Sequence, residues 1–167
     1  MKNILIAAAL ALTTLAAPAM AQDATFTGPR VGATVGYDTT DGQDGVTYGG
    51  SAGYDFALKG VLVGVEATLE DSTLDYAGVN ASRDLAVSAR LGYVIAPRTL
   101  LFAKAGYATT RLEARNLHTN LEGVRFGGGA EYALTRNTYL SAEYRRTEYE
   151  NDFGGRDQVI AGIGFRF

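Results

Sequence analysis

The chain contains no cysteine and only three prolines among its 167 residues. Without cysteine, disulfide bonds, thiolate catalysis and cysteine-ligated zinc are all excluded, so the fold must be stabilised by other means. Beyond the N-terminal segment, no stretch approaches the ~18 consecutive apolar residues that form a transmembrane helix. The sequence therefore predicts no membrane-spanning helix after the first 21 residues.

The first 21 residues have the composition of a secretory signal. Lys2 precedes an uncharged, largely apolar run at 4–15, and the segment closes with Ala19-Met20-Ala21. A positive start, a short apolar core and an A-x-A site are typical of a cleaved signal peptide. We predict that residues 1–21 are a signal peptide and that residues 22–167 form one domain. The alternative is an uncleaved N-terminal anchor, for which the apolar run is short.

The domain predicted for residues 22–167 carries a small negative charge. Lys2 is the only charged residue before it, which leaves 14 Lys and Arg against 18 Asp and Glu, a formal charge of −4. A mildly acidic chain without basic clusters argues against nucleic-acid binding. The 21 glycines of the chain favour closely packed strands and turns over a helical bundle.

Apolar and polar residues alternate with a period of two along most of this domain. In segment 30–37, one face is Val, Ala, Val and Tyr, and the other is Arg, Gly, Thr and Gly. A period of two is typical of β-strands. Eight segments are predicted as strands on this pattern: 30–37, 47–56, 61–70, 85–93, 101–108, 124–132, 140–145 and 158–167.

The connections between the eight segments alternate in length. Short connections follow the second, fourth and sixth segments, whereas longer polar ones, such as 38–45, follow the odd-numbered segments. Strands of about ten residues joined in this way are typical of outer-membrane barrels, whose short turns are periplasmic. We predict an all-β fold, an eight-stranded antiparallel up-and-down transmembrane β-barrel. Both ends of the mature chain then lie on the periplasmic side.

The positions of the aromatic residues indicate which face of the barrel is outside. A soluble barrel of the lipocalin type also alternates, but its apolar residues point inward. Here the apolar faces have aromatic residues near both strand ends and aliphatic residues between them, Phe126 excepted. Two aromatic girdles around an aliphatic band are typical of a lipid-facing surface. The girdles are Tyr37, Tyr48, Tyr107 and Tyr144 near the loops, and Tyr54, Phe56, Tyr93, Tyr132, Phe165 and Phe167 near the short turns.

The opposite face of the strands carries charged side chains of both signs at middle heights. If this face meets bulk water, as in a soluble barrel, the charges need no partners. Inside a narrow barrel they must pair, because an isolated buried charge costs several kcal/mol. We predict a lumen ionic network, paired between neighbouring strands, that plugs the barrel. Its members are Glu66, Arg90, Lys104, Arg125, Glu131, Glu143 and Arg145.

Segments 30–37, 123–132, 140–145 and 162–167 resemble those of the small outer-membrane β-barrel family. That family includes the OmpA-type transmembrane domain and the opacity-like surface proteins, and the resemblance covers all of residues 22–167. It implies the outer membrane of a Gram-negative bacterium, contact with lipid and lipopolysaccharide, and insertion by the barrel-assembly machinery. It also implies an assembly signal in the outward-facing aromatic residues that end the last strand, Phe165 and Phe167. In contrast to the OmpA type, no peptidoglycan-binding domain follows, so we do not expect cell-wall anchoring.

Little in the sequence points to catalysis or metal binding. His118 lies beside Thr119 in a predicted loop, whereas a lipid A deacylase needs a histidine with a serine on a lipid-facing strand and an orienting carboxylate. Asp38, Asp41 and Asp44 lack the spacing of a calcium-binding loop and are ordinary turn residues. A surface cation bridging lipopolysaccharide is the alternative for these three. We predict no catalytic, cofactor-binding or metal site.

The sequence thus predicts a structural or surface-interaction protein of the outer membrane, not an enzyme, with a plugged lumen and four extracellular loops. Two alternatives stay open. One is a narrow porin-like channel for small solutes, although eight strands leave a lumen that side chains fill. The other is an outer-membrane lipid-modifying enzyme. The sequence identifies no partner for the loops.

Overall fold

The computed structural model describes residues 26–40, 43–73, 75–76, 79–114, 117–149 and 155–167. The predicted signal peptide lies outside these residues and stays a prediction. No helix in the described part of the chain is long and apolar enough to cross a membrane. The described residues form nine strands: β1 Gly28–Thr40, β2 Gln43–Leu58, β3 Val61–Ser72, β4 Asp75–Tyr76, β5 Val79–Ala96, β6 Thr99–Ala114, β7 Leu117–Ala133, β8 Thr138–Tyr149 and β9 Gly155–Arg166.

Eight of these strands close into a ring. Each long strand pairs antiparallel with the next, and β9 pairs back onto β1, from Arg30 opposite Arg166 to Thr40 opposite Arg156. Because β3 pairs directly with β5, the two-residue β4 lies outside the ring and pairs only with the start of β5. The ring is a closed eight-stranded antiparallel barrel, which confirms the predicted fold class.

The strands are longer than the sequence predicted. They run from 12 residues in β3 to 18 in β5, and each contains its predicted segment except that Phe167 follows the end of β9. The predicted loop at 38–45 is mostly paired, with Asp38 opposite Gly45 and Thr39 opposite Asp44. Backbone pairing does not depend on side-chain polarity, so a polar hairpin continues beyond the apolar band.

The short connections lie together at one end of the barrel, here called the turn end, and are residues 59–60, 97–98 and 134–137. Lys59 and Gly60 both have positive φ, 50° and 87°. This geometry is typical of the tight two-residue turn that joins twisted antiparallel strands. The opposite end, here called the loop end, carries the connections that follow β1, β3, β6 and β8. The three short turns are where the sequence predicted them.

The barrel has its apolar side chains on the outside. Buried and exposed residues alternate along β3, where Val65 and Leu69 are about half exposed while Glu66 and Glu70 are buried. Most of the predicted girdle residues are exposed on the same outer surface. The exposed girdle residues include Tyr37, Tyr48, Tyr93, Tyr107, Tyr132, Tyr144, Phe165 and Phe167. A water-soluble protein has the reverse arrangement, so this surface fits a lipid environment.

The ionic lumen as the candidate functional site

Inward-facing positions of all eight long strands bring charged side chains together inside the barrel. Seven cations and seven anions pair there, all buried or nearly so. They form two clusters at different heights. The turn-end cluster is Arg30, Asp55, Glu66, Arg90, Lys104, Glu131, Glu143 and Arg166. The loop-end cluster is Asp38, Glu70, Asp84, Arg125, Arg145 and Arg156.

Asp55 is at the centre of the turn-end cluster. Its Oδ2 lies 2.7 Å from Arg90 Nη1, 3.1 Å from Arg166 Nη2 and 3.0 Å from Arg30 Nε. Glu131 joins two of the same cations, because Arg166 Nη2 lies 2.9 Å from its Oε1 and Arg90 pairs with its Oε2. Two carboxylates thus hold three guanidinium groups, so removing either acid leaves at least two cations short of a partner.

Lys104 extends this cluster toward the middle of the barrel. Its Nζ lies 2.5 Å from Glu66 Oε1 and 2.5 Å from Glu143 Oε2. Glu66 uses its other oxygen, Oε2, to accept a hydrogen bond of 2.6 Å from Arg30. Charge is balanced within the turn-end cluster, which has four cations and four anions.

Asp84 organises the loop-end cluster. Its Oδ2 accepts hydrogen bonds from Arg125 Nη2 at 2.7 Å and from Thr110 Oγ1 at 2.9 Å. Arg156 lies 3.4 Å from the same oxygen and also pairs with Asp38. Two anions therefore share two cations at this height.

The remaining pair of this cluster spans the lumen. Arg145 Nη2 pairs with Glu70 Oε2, and Arg145 Nε donates a hydrogen bond of 2.9 Å to Gln158 Oε1. Thr34 Oγ1 donates to the other oxygen of Glu70 at 3.1 Å. Arg145 stands on β8 and Glu70 on β3, four places apart in a ring of eight strands. The pair therefore joins opposite walls of the barrel.

The pairs among the predicted network members do not join neighbouring strands, and that detail of the prediction is wrong. Arg90 of β5 reaches Glu131 of β7, and Lys104 of β6 reaches Glu66 of β3 and Glu143 of β8. Long side chains point toward the barrel axis, where side chains from strands two or more places apart converge. Pairs between adjacent strands do form elsewhere in the lumen, as between Arg30 of β1 and Asp55 of β2, but not among the predicted members.

All seven residues predicted for the lumen face inward, and each is ion-paired in one of the two clusters. Seven further members of the network were not predicted from the sequence. They are Arg30, Asp38, Asp55, Glu70, Asp84, Arg156 and Arg166. They share the inward parity of the same strands, but they lie nearer the strand ends, where charges also fit a water interface. Parity extended to the full strand length identifies them.

An apolar group, here called the stopper, fills the lumen at the turn end. It consists of Phe26, Leu62, Leu100 and Ala133, with Val94 packed against them. Phe26 precedes β1 and is 1% exposed. Its role is not visible in the sequence, because a single aromatic residue ahead of the first strand carries no periodic signal.

Aromatic rings support the turn-end cluster from within. The guanidinium of Arg90 lies 4.3 Å from the centroid of the Phe102 ring, a distance typical of a cation–π contact. Gly129 stands opposite Phe102 on the neighbouring strand, and Ala142 and Phe102 leave no room there for a Cβ. The glycine run in β7 therefore makes space for an inward ring and for closely packed strands.

A small cavity touches both clusters. It has a volume of about 30 Å³, and its lining includes Glu66, Lys104 and Glu143 from one cluster and Arg145 from the other. Such a volume holds about two water molecules. Water at this point would hydrate some of the charges.

The structure corrects two minor expectations. His118 was predicted to lie in a loop, but its backbone belongs to β7 opposite Glu113, and its side chain lies outside the described part of the chain. Asp38 points into the lumen and is fully buried, whereas Asp44 is exposed and accepts a hydrogen bond from Thr39. Since the two carboxylates face opposite sides of the sheet, they cannot share a cation. Asp41 lies outside the described residues.

A closed eight-stranded sheet with an apolar outer surface, aromatic girdles and an ion-paired lumen defines a transmembrane β-barrel. The sequence also identifies the family to which this barrel belongs. The chain belongs to the family described as the outer membrane protein beta-barrel domain, which matches residues 7–167. The protein is therefore an outer-membrane protein, as the sequence predicted.

Individual outer-membrane proteins are also similar to this chain. The chain is 31% identical over 153 residues to the 31 kDa outer-membrane immunogenic protein of Brucella melitensis, covering 77% of this chain and 61% of that protein. It thus spans about three fifths of the length of this relative. Among solved structures, Neisserial surface protein A is similar, with 18% identity, coverage of 83% and 96%, and a TM-score of 0.59. The attachment invasion locus protein of Yersinia pestis is similar at 15% identity, 84% and 97% coverage, and a TM-score of 0.59.

Proposed function

We propose that the protein is a sealed barrel that serves the outer membrane as a structural and surface-interaction element. The observation that carries this proposal is the ion-pair network that crosses the lumen. Charges from opposite walls meet in the centre, as in the pair of Arg145 and Glu70. The stopper closes the turn end below them. Such a barrel acts through the surfaces that it presents on either side of the membrane.

The turn end faces the periplasm and the loop end faces the outside in this proposal. Bacterial outer-membrane barrels have short periplasmic turns and longer extracellular connections, and this barrel has the same asymmetry. The four loop-end connections then meet lipopolysaccharide and extracellular partners. The Brucella relative is called immunogenic and the Yersinia barrel an attachment protein, names that fit exposed surfaces.

Export and assembly follow the family pattern in the same proposal. Residues 1–21 direct export, and the barrel-assembly machinery recognises Phe165 and Phe167. Both side chains are on the outer surface, Phe167 is 69% exposed, and their ring centroids are 5.2 Å apart. They form an aromatic mark at the end of the last strand that is accessible before the barrel closes.

A solute channel is the second candidate, and the cavity between the clusters is the feature that favours it. With room for about two waters, it would have to widen by separating several buried ion pairs. A lipid-modifying enzyme is less well supported, since small outer-membrane barrels of this family are generally not enzymes. We therefore propose a non-enzymatic role without a cofactor.

Cysteine labelling tests the orientation cleanly because the chain has no cysteine of its own. Glu148 is exposed at the loop end and Arg136 is exposed at the turn end. We expect a membrane-impermeant maleimide to label Glu148→Cys on intact cells and Arg136→Cys only after lysis. The reverse pattern would overturn the proposed orientation. Labelling of both variants in lysed cells is the control that each cysteine is accessible.

A deletion strain distinguishes the two parts of the proposed role. Sensitivity to detergent would indicate a structural contribution, and reduced adhesion to surfaces would indicate an interaction through the loops. A strain unchanged in both tests but impaired in uptake of a small solute would favour the channel instead.

A further inference from the structure

The charged side chains described by the structure fall into three separate sets. The lumen set is balanced, with seven charges of each sign. The outer surface of the loop end is acidic, with Asp44, Asp71, Glu122, Glu148 and Asp157 against Arg83 and Arg146. The turn end has the third set, which is purely basic. Among the side chains that the structure describes, the surface charge is therefore polarised along the barrel axis.

The basic set, here called the basic collar, consists of Lys59, Arg98 and Arg136. Each of the three short turns carries one of them, and no turn carries an acid. All three side chains are exposed. No described carboxylate lies within salt-bridge distance of any of them. The loop-end cation Arg146 differs, because Asp157 lies 3.1 Å and Glu148 3.3 Å from it.

Lys59 occupies the first position of the two-residue turn between β2 and β3. Lys59 has a φ of 50°, in the left-handed region that glycine, asparagine and aspartate adopt most readily. A lysine is less common at this position than glycine, asparagine or aspartate. The next residue is Gly60, which takes the other left-handed position without strain.

The surroundings of the collar are those of a membrane interface. Exposed aliphatic side chains, Leu58, Ile95 and Leu134, lie on or beside the three turns at 61%, 53% and 41% exposure. The girdle residues Tyr93 and Tyr132 lie within a few positions of two of them. Apolar and aromatic anchors hold this end at headgroup level, where long basic side chains extend toward phosphate.

We propose that the basic collar binds the phosphate groups of anionic phospholipids in the leaflet that surrounds the turn end. Under the proposed orientation this is the periplasmic leaflet. Cations near an anionic bilayer surface are attracted by it, and guanidinium and ammonium groups match phosphate. The acidic loop end would repel the same lipids, so the collar also favours one orientation in the bilayer.

Lipid retention in nanodiscs tests this interaction directly. The folded barrel is reconstituted in equal amounts of phosphatidylglycerol and phosphatidylcholine, released, and analysed by native mass spectrometry for the lipids that stay bound. We expect wild type to retain phosphatidylglycerol preferentially, by roughly fivefold for each cation. The triple variant Lys59→Gln, Arg98→Gln and Arg136→Gln should lose the preference. A charge-conserving triple variant, Lys59→Arg, Arg98→Lys and Arg136→Lys, should keep it.

The double variant Arg83→Gln and Arg146→Gln is the control, because it removes cations from the loop end and should leave the preference intact. Heat-modified mobility on gels checks that every variant is folded. Equal retention of the two lipids by wild type, or unchanged preference in the neutral triple variant, would overturn the proposal. A second contrary outcome is that wild type shows no lipid preference but sediments with purified peptidoglycan, whereas the neutral triple variant does not sediment. The collar would then bind peptidoglycan instead of phospholipid, and the proposal would be wrong. The nanodisc result does not depend on which end faces the periplasm, so it can fail or succeed independently of the cysteine labelling.

Discussion

Arg145 and Glu70 pair across the lumen, although 75 residues separate them in the chain and their strands stand on opposite walls. Their side chains are 2% and 1% exposed. Loss of one buried partner leaves an uncompensated charge, whereas loss of both removes the problem together with the attraction. The pair is therefore a sensitive probe of how dry and how tightly closed the lumen is.

The first prediction concerns this pair. Glu70→Gln should lower the free energy of unfolding by about 3–5 kcal/mol if the site is dry, and by less if water reaches it. The single variant Arg145→Met is measured as well. The double variant Glu70→Gln and Arg145→Met should lose less stability than the two single variants lose in sum, because no charge is left unpaired. Urea unfolding in lipid vesicles measures both. Glu148→Gln, which removes an exposed partner of Arg146, is the control and should change stability by less than about 1 kcal/mol. Strictly additive effects would show that the pair is not coupled.

The second prediction tests the inside-out arrangement on one strand. Ala89 faces lipid, and Ala86 faces the lumen and is 2% exposed. Ala89→Lys should lower the free energy of unfolding by ~2–4 kcal/mol near the midplane, whereas Ala89→Leu should be tolerated. Ala86→Leu should be destabilising by about 1–3 kcal/mol, because the lumen is filled. Tolerance of Ala89→Lys would instead place Ala89 in water, and a stability loss for Ala89→Leu would place it in a packed core.

The third prediction concerns the stopper. Phe26→Ala should lower the free energy of unfolding by about 3–5 kcal/mol, since a buried ring is removed from a cluster that cannot fully collapse. Phe26→Leu should recover much of that stability, because it refills part of the volume. Vesicle-based urea unfolding compares the two variants. If both behaved like wild type, the N-terminal segment would contribute nothing to closure of the turn end.

The fourth prediction separates assembly from stability. Phe167→Ala keeps the backbone hydrogen bond of 3.0 Å from Phe167 N to Pro29 O but removes the exposed ring. We expect slower appearance of folded barrel in the outer membrane of cells and nearly unchanged folding into detergent. Pulse-chase with heat-modified mobility follows both. Phe126→Ala removes another lipid-facing ring, in the middle of the band, and serves as the control. Equal assembly rates for wild type and Phe167→Ala would remove the proposed role.

Much of the fold was predictable because a strand that faces lipid on one side and polar groups on the other must alternate apolar and polar residues. That alternation shows where the strand lies and which way each side chain points. Alternation identified all eight long strands and the side on which Glu66 and Arg90 lie. Strand ends were harder to predict. Beyond the apolar band, parity no longer carries a hydrophobic contrast, so the paired residues at Asp38 and Asp84 resembled loop residues.

The pairing inside the lumen was less predictable. Sequence parity shows that Arg145 points inward, but not that it meets Glu70 from four strands away. Which charges meet depends on how far side chains reach across the axis, and strand order alone does not set that distance. Phe26 was missed for a related reason, because its position depends on how the chain enters the barrel.

Planar-bilayer conductance is the most direct test of the central claim that the barrel is sealed. Glu131 holds Arg90 and Arg166 just inside the turn end. Wild type should show little or no steady conductance, and Glu131→Ala should lose about 3–5 kcal/mol of stability to urea if the site is dry. A large, stable conductance in wild type, together with unchanged stability of Glu131→Ala, would contradict the sealed barrel and establish the channel in its place.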